Sequence, residues 1–277
     1  MPRSLRPLLL SLALLPALAA ANPPGWRQGW GLERPAQAPG HTAGTAAFAE
    51  LKLVRRAGGY SVQVRNRLAG PVQVRLHGQA TALEGDPPAP ALLQAGEQRS
   101  LLWLPGSDGN AHLLLDAYPG DPRAHPDATL YQLPFLAGDV RVSQASNGRY
   151  SHHDAQNRYA VDFPLPEGTP VLAARNGRVM QAIEGDGELG CLLRVLHGDG
   201  SMAVYGHLQP GSLAVRAGQP VQAGQALATS GNSGHSSGPH LHFAVQANTG
   251  LALSSIPFRM RGPQGELKFP REAGPAP

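Results

Sequence analysis

The sequence contains almost no cysteine and almost no lysine. Its 277 residues include one cysteine, Cys191, and two lysines, Lys52 and Lys268. Because one cysteine cannot pair within its own chain, a disulfide-stapled fold is excluded. Charged residues make up only 15% of the chain, and the 23 basic residues form no run, so nucleic-acid binding is not expected. The longest apolar run, from Leu8 to Leu18, is shorter than the roughly 20 residues that span a bilayer.

Residues that interrupt helices are, by contrast, abundant. The chain has 34 glycines and 27 prolines, and these cost about 1 and 3 kcal/mol, respectively, in a helix interior. Long coiled coils and helical bundles are therefore excluded. Because 42% of the residues are hydrophobic and the formal net charge is only +4, the chain can bury a core and wholesale disorder is not expected. The composition predicts a β-rich, turn-rich protein.

The N terminus has the features of a secretory signal peptide. Arg3 and Arg6 precede the apolar run, and small residues at 17–21 form a cleavage site. We therefore predict a signal peptide over residues 1–21, export of the mature protein, and no membrane span after cleavage. Residues 22–45, rich in proline, glycine and alanine, are predicted to be an irregular lead-in.

Residues 46–118 show the alternation of half-buried β-strands. Tyr60, Val62 and Val64 alternate with polar side chains, and glycine and proline separate successive strand-like runs. Short strands at this spacing predict an immunoglobulin-like antiparallel β-sandwich. Proline and glycine then crowd into residues 119–130, which are predicted to be a linker.

A second β-rich segment covers residues 131–256 and carries seven of the eleven histidines. Its apolar runs are short and none keeps a 3.6-residue period, which predicts an antiparallel β-sheet domain. Cys191 lies in one of these runs and is predicted to be a packed small hydrophobe. Residues 257–277 contain no interpretable motif and are predicted to be a C-terminal tail. The predicted fold class is thus all-β, with a sandwich followed by an antiparallel β-sheet domain.

Two motif matches in the second segment are misleading. Residues 185–190 fit G-x-G-x-x-G, but a strand-like run follows where dinucleotide binding needs a helix, so a glycine-rich hairpin is predicted. Residues 234–238 fit G-x-S-x-G, but Pro239 and the β-patterned run after it exclude the helix of a nucleophile elbow. A dinucleotide-binding enzyme and a serine hydrolase are both disfavoured.

Histidines and one aspartate form a stronger pattern. His240 and His242 are two residues apart in a strand-like run, so their imidazoles lie on the same face. Together with His207, and with His152 followed by Asp162, they indicate a metal site. Zinc favours histidine and carboxylate ligands, and a catalytic site keeps one position open for a water that the metal acidifies. Zinc held by two neutral histidines and one aspartate would have a net charge of +1.

Several ordered motifs surround these residues. They are Ser-His at 151–152, Tyr-Ala-Val-Asp-Phe at 159–163, Gly-Thr-Pro-Val at 168–171, Tyr-Gly-His-Leu at 205–208, Gly-Asn-Ser-Gly at 231–234 and Gly-Pro-His-Leu-His-Phe at 238–243. On these motifs the stretch 151–245, about a third of the chain, resembles the M23 family of zinc metallopeptidases, the lysostaphin and LytM type.

The resemblance implies one zinc ion per chain, bound by His152, Asp162 and His242. It also implies that His207 and His240 are the two catalytic histidines that do not bind the metal. One would accept a proton from the water and the other would stabilise the oxyanion, and the sequence leaves the division of these roles open.

The spacing before the aspartate departs from the commonest pattern of the family. There the first ligand lies four residues before the aspartate, a position that Arg158 occupies here. Some members have a longer connection, with Ser-His before it and Tyr-Ala-x-Asp after it, and His152 matches that version. His153 is the alternative ligand.

The resemblance further implies an exported zinc metalloendopeptidase, in the periplasm of a Gram-negative bacterium, that acts on the peptide stems of peptidoglycan. The expected reaction is D,D-endopeptidase cleavage, by a zinc-activated water, of the D-alanyl bond to diaminopimelate. Two other classes stay open: a catalytically inactive LytM-type regulator that activates a cell-wall amidase, and a cell-wall binding protein. The glycine- and serine-rich loop 231–238 is either a wall of an open substrate groove or a flexible hairpin connection.

Overall fold

The structure is a computed structural model that describes residues 48–80, 88–106, 111–148, 150–185 and 187–269. Within these ranges the chain is all-β, as predicted, and contains no helix. No helix suited in length and hydrophobicity to crossing a membrane is present in the described part of the chain. The predicted signal peptide and the predicted lead-in lie outside the described residues and stay predictions.

The described residues form eighteen strands. They are β1 (Ala49–Arg56), β2 (Gly59–Asn66), β3 (Val72–Ala80), β4 (Ala91–Leu93), β5 (Gln98–Pro105), β6 (Ala111–Pro119), β7 (Leu130–Gln132), β8 (Val161–Pro164), β9 (Pro170–Leu172), β10 (Gly177–Ile183), β11 (Cys191–Leu196), β12 (Met202–Leu208), β13 (Pro220–Val221), β14 (Ala226–Thr229), β15 (His240–Asn248), β16 (Leu253–Ser255), β17 (Arg259–Gly262) and β18 (Gly265–Glu266).

The first six strands form two antiparallel sheets of three strands each, ordered β1-β2-β5 and β4-β3-β6. The predicted alternation is confirmed in β2, where Val62 and Val64 are fully buried and Arg65 is exposed. Apolar side chains from both sheets pack into one cluster, so the two sheets share a core. The immunoglobulin-like character of this first unit stays a prediction.

A seven-stranded antiparallel sheet forms the centre of the second unit. Its order is β13-β10-β11-β12-β15-β16, and β8 pairs with β15. The first half of β15 pairs with β8 and its second half with β16, while β12 lies along its other edge. Side chains of β15 also pack into apolar clusters. Strand β15 is therefore buried along nearly its whole length, and it is a rigid platform for the residues that it carries.

Part of the predicted C-terminal tail belongs to the second unit. Residues 259–266 form β17 and β18, and β17 runs parallel to β7, an exception among the antiparallel pairings of the described strands. Met260 is fully buried, and Phe258 packs against the same core as Tyr131. Met260 thus completes a core whose first residue, Tyr131, lies 129 positions earlier in the chain. The predicted domain boundaries stay predictions.

The two units are in direct contact. Met180, Met202 and Leu253 of the second unit lie in the apolar cluster of the first. The backbone N–H of Ala69 donates to the carbonyl of Met180 over 3.0 Å, and the Asn248 side chain donates to two carbonyls of the chain that leaves β6, over 3.3 and 3.2 Å. The first unit therefore supports β10, β12 and β16 of the central sheet.

Candidate metal centre

Two neighbouring strands place an aspartate and a histidine opposite each other. Asp162 on β8 and His242 on β15 are partners in an antiparallel register, although 80 residues separate them in the sequence. His152 comes from the loop that precedes β8. All three residues are buried, and one candidate ligand atom from each lies within 4.8 Å of the other two. In the described part of the chain, this is the one group of three or more His, Cys, Asp or Glu residues with such geometry.

One oxygen of the carboxylate faces both imidazoles. Oδ1 of Asp162 lies 3.2 Å from Nε2 of His152 and 2.9 Å from Nδ1 of His242. Nδ1 of His152 donates to the carbonyl of Ala145 over 3.0 Å, so Nε2 is the ring nitrogen that faces the carboxylate. That Nε2 atom is buried and makes no hydrogen bond, an arrangement that a metal ion would satisfy. The three residues therefore fit the histidine and carboxylate donor set that zinc prefers.

The ionisation states of two of these groups also suit a metal. Burial acts to raise the pKa of Asp162, but favourable interactions with His152 and His242 outweigh it and lower the pKa below its usual value. Burial lowers the pKa of His242, against the opposing effect of Asp162. At neutral pH the carboxyl is therefore ionised and the His242 imidazole is neutral, which are the protonation states that metal ligands need.

Gln144, which the sequence did not identify as a site residue, forms a hydrogen bond with the other carboxylate oxygen of Asp162. Its Nε2 donates to Oδ2 of Asp162 over 3.0 Å and to Oγ of Ser151 over 2.8 Å, and its Oε1 accepts the backbone N–H of Tyr150 over 3.0 Å. A Cβ at Gly148 would overlap the Gln144 side chain, so a glycine is needed there. With Oδ2 engaged by Gln144, Oδ1 is left to face the two imidazoles.

We expect Gln144→Met to weaken zinc binding about 10- to 100-fold, because hydrogen bonds that orient a metal ligand have that effect on affinity. The substitution keeps the length of the side chain but removes the two hydrogen bonds that Nε2 donates and the one that Oε1 accepts. Competition with a chromogenic chelator measures the affinity. Gln222→Met, at an exposed glutamine outside the groove, is the matched control, and equal affinity of the two variants would contradict the role of Gln144.

A local distortion of strand β12 places His207 beside the metal centre. The register of β12 on β11 shifts at this point by one extra residue, a β-bulge, and His207 has a φ of +57°. A non-glycine residue in this left-handed region is strained by about 1–3 kcal/mol, and such strain is concentrated at functional sites. Burial above all, and then His242 and His240, lower the pKa of His207 to about 3. Its Nδ1 donates to the carbonyl of Ser233 over 2.7 Å, which leaves Nε2 as the acceptor of a neutral ring.

His240 is two residues before His242 on the same face of β15, as predicted. Its ring lies 4.5 Å from that of His207 between centroids, and its Nε2 lies 3.9 Å from Oδ1 of Asp162. Its Nδ1 donates to the carbonyl of Gly238 over 2.8 Å. The structure therefore brings together all five residues predicted for the site, and their roles stay a proposal. The alternative ligand, His153, is exposed and lies outside the cluster.

The centre opens into a groove of about 540 Å³. Asp162, His207, His240 and His242 line it, while His152 is fully buried beneath it. The other lining residues are Ser143, Gln144, Tyr150, Ser151, Asn157, Pro164, Glu188, Leu189, His235, Ser236, Ser237, Gly238 and Pro239. Residues 235–238 of the loop 231–238 thus line the groove, and the predicted role of this loop in admitting a substrate stays a prediction.

The two misleading motifs have the structures that the sequence predicts for them. Strands β10 and β11 on either side of the first motif are consecutive and antiparallel, so the chain between them is a hairpin connection, and a strand follows it instead of a helix. Strand β15 begins soon after residues 234–238, where a nucleophile elbow would need a helix. Cys191 is fully buried, and burial above all, with Glu184 nearby, raises the pKa of its thiol to about 12, so this thiol is a packed group as predicted.

Comparison with known proteins confirms the predicted family resemblance. Residues 156–253 match peptidase family M23, a range that begins four residues after His152. An uncharacterized metalloprotease of Haemophilus influenzae is 38% identical over 130 residues, which cover 46% of this chain and 27% of the relative. The glycyl-glycine endopeptidase ALE-1 of Staphylococcus capitis is 37% identical over 110 residues, covering 37% and 29% of the two chains. The peptidoglycan DD-endopeptidase ShyA of Vibrio cholerae is 36% identical over 107 residues, covering 35% and 24%. The chain thus spans about a quarter of the length of these relatives.

Proposed function

We propose that this chain, which carries a peptidase family M23 domain over residues 156–253, is an exported zinc metalloendopeptidase that hydrolyses peptide cross-links of peptidoglycan. The observation that carries the proposal is the convergence of two histidines and an aspartate on one point, with two further histidines beside them in the same groove. A groove of about 540 Å³ is in the usual size range for binding a substrate.

In this proposal His152, Asp162 and His242 hold one zinc ion. When bound, zinc supplies Lewis acidity that polarises a peptide carbonyl and acidifies a water. Asp162 contributes the one negative charge of the three ligands, so the loaded site keeps a net positive charge. Positive charge in a partly dehydrated groove stabilises the negative charge that develops on the carbonyl oxygen in the transition state.

Proton transfer and oxyanion stabilisation are assigned to His207 and His240. The Nδ1 atoms of both rings donate to backbone carbonyls, so the Nε2 atoms are available for chemistry in the groove that both residues line. Nε2 of His240 is 3.9 Å from the carboxylate of Asp162, which brings it within reach of groups reacting at the centre. One of these nitrogens would accept a proton from the attacking water, and the other would donate a hydrogen bond to the oxyanion.

For the scissile bond we favour the D-alanyl bond to diaminopimelate in the periplasm of a Gram-negative bacterium. The Vibrio relative is named as a DD-endopeptidase of peptidoglycan, whereas the Staphylococcus relative is named for glycyl-glycine bonds. The groove carries the polar side chains of Tyr150 and Glu188. A polyglycine bridge has no side chain for them to bind, whereas the diaminopimelate that precedes the cleaved D-alanine has a polar side chain with a free amine.

Digestion of purified peptidoglycan tests the proposal. The mature chain with zinc should convert cross-linked dimers of stem peptides into monomers, with a new D-alanine carboxyl terminus identified by mass spectrometry. Cleavage between glycines alone would overturn the proposed bond. An inactive regulator would give no products by itself but would accelerate digestion by an added amidase, and that pair of results would overturn the proposed enzyme.

A further inference from the structure

The connection between β10 and β11 takes no part in the proposed metal binding or proton transfer, yet its last residues form part of the groove. Glu188 and Leu189, near its end, both line the groove. The carbonyl of Glu188 accepts the backbone N–H of His235 over 2.9 Å, and the carbonyl of Leu189 accepts that of His207 over 2.8 Å. The connection is therefore hydrogen-bonded both to strand β12 and to the loop that carries His235.

Close backbone packing keeps this connection in place. A Cβ at Gly234 would overlap the backbone of Gly190 and would lie 2.6 Å from the carbonyl oxygen of Glu188. Only glycine at position 234 allows the two loops to approach so closely. The position of the Glu188 backbone in the groove wall is thus determined by backbone contacts with the loop that carries Gly234 and His235.

Outside the metal centre, the charge carried by the described residues of the groove lining is negative. Among the described residues that line it, Glu188 is the one acid besides Asp162, and none is a lysine or an arginine. Glu188 is half-buried, and its side chain has no hydrogen bond or ion pair with a described residue. A half-buried carboxylate in a groove whose described lining residues include no lysine or arginine is suited to binding a cation that the substrate supplies.

We propose that Glu188 forms a subsite for a free ammonium group of the substrate, next to the scissile bond. This inference rests on the proposed function and specifies its substrate class as peptides with an amine-bearing side chain. In a cross-linked stem peptide, the diaminopimelate that precedes the cleaved D-alanine keeps one free amine. The carboxylate of Glu188 would bind this ammonium through charge-assisted hydrogen bonds.

Two synthetic cross-linked stem peptides test the subsite, one with the free amine and one with that nitrogen acetylated. With the wild-type chain and zinc, we expect acetylation to lower kcat/KM about tenfold, mainly through KM, because the contact is present in both ground and transition states. Glu188→Gln should show the same loss on the free-amine peptide and no further loss on acetylation. For the wild type, added salt should reduce the difference in kcat/KM between the two peptides, because salt screens the ion pair. Salt should not change this comparison for Glu188→Gln.

Glu167→Gln, at an exposed glutamate outside the groove, is the matched control and should behave like the wild type. Equal sensitivity of wild type and Glu188→Gln to acetylation would overturn the subsite. If neither peptide is cleaved, the proposed bond is wrong, and direct binding of the two peptides by calorimetry still decides the inference. Tighter binding of the free-amine peptide to the wild type, but not to Glu188→Gln, supports it, and equal binding of both peptides to the two proteins overturns it.

Discussion

Asp162→Ala is expected to remove the zinc ion from the protein and to abolish peptide hydrolysis. Oδ1 of Asp162 lies 3.2 Å from the imidazole of His152 and 2.9 Å from that of His242. Asp162 is also the one anionic ligand of the centre. Without it, two neutral histidines remain to hold a dication. The loss of metal chemistry should lower kcat/KM by about a thousandfold or more, equivalent to about 4 kcal/mol of transition-state stabilisation.

Native mass spectrometry should show one zinc ion in the wild-type chain and none in the variant, alongside the loss of hydrolysis. Asp139→Ala, at an exposed aspartate that does not line the groove, is the matched control and should keep both. Asp162→Asn, which has nearly the same shape and can still accept a hydrogen bond from Gln144, serves if the alanine variant does not fold. Retention of one zinc by both Asp162 variants would show that the ligand set is wrong.

His207→Asn and His240→Ala are expected to separate catalysis from metal binding. Each should lower kcat by about 10²- to 10⁴-fold, the usual contribution of a general acid or base, while the zinc content stays at one per chain. Both histidines line the groove but lie outside the three-residue cluster, so their removal leaves the ligands intact. Asparagine is chosen at position 207 because it tolerates the left-handed backbone found there.

The measurements are the single-turnover rate on a cross-linked peptide and the zinc content of the same preparations. His125→Asn, at an exposed histidine away from the site, is the control for the general effect of the substitution. Loss of zinc in His207→Asn or His240→Ala, with the fold retained by circular dichroism, would make that histidine a ligand. Activity close to the wild type in both variants would remove them from the mechanism.

Much of the fold is accessible from local sequence. Alternation in residues 60–65 predicts the buried face of β2, because successive side chains of a strand point to opposite faces. The same rule puts His240 and His242 on one face of β15. The parallel pairing of β17 with β7 could not be predicted in this way, because nothing in the sequence of residues 259–262 indicates that they pair with residues 130–132.

Some residues of the candidate site can likewise be predicted from the sequence, and others cannot. His152, Asp162, His207, His240 and His242 follow from residue type and from motif order along the chain. Gln144 does not, because a lone glutamine in a loop has no pattern of its own. Its importance arises from a 3.0 Å contact with a residue 18 positions later. Glu188 is similar: its sequence context is a glycine-rich hairpin, and only the folded groove shows which side chains surround it.

The sequence by itself determined the all-β class and the shared face of His240 and His242, and its resemblance to a family indicated the candidate ligands. These depend on side-chain chemistry and on a two-residue period, both of which act between near neighbours. Tertiary structure decided that Asp162 lies opposite His242, that a β-bulge at φ +57° brings His207 beside His240, and that Gln144 orients the carboxylate. Strand register and side-chain orientation are determined by packing between residues far apart in the chain, so they exist only once the core of the central sheet has formed.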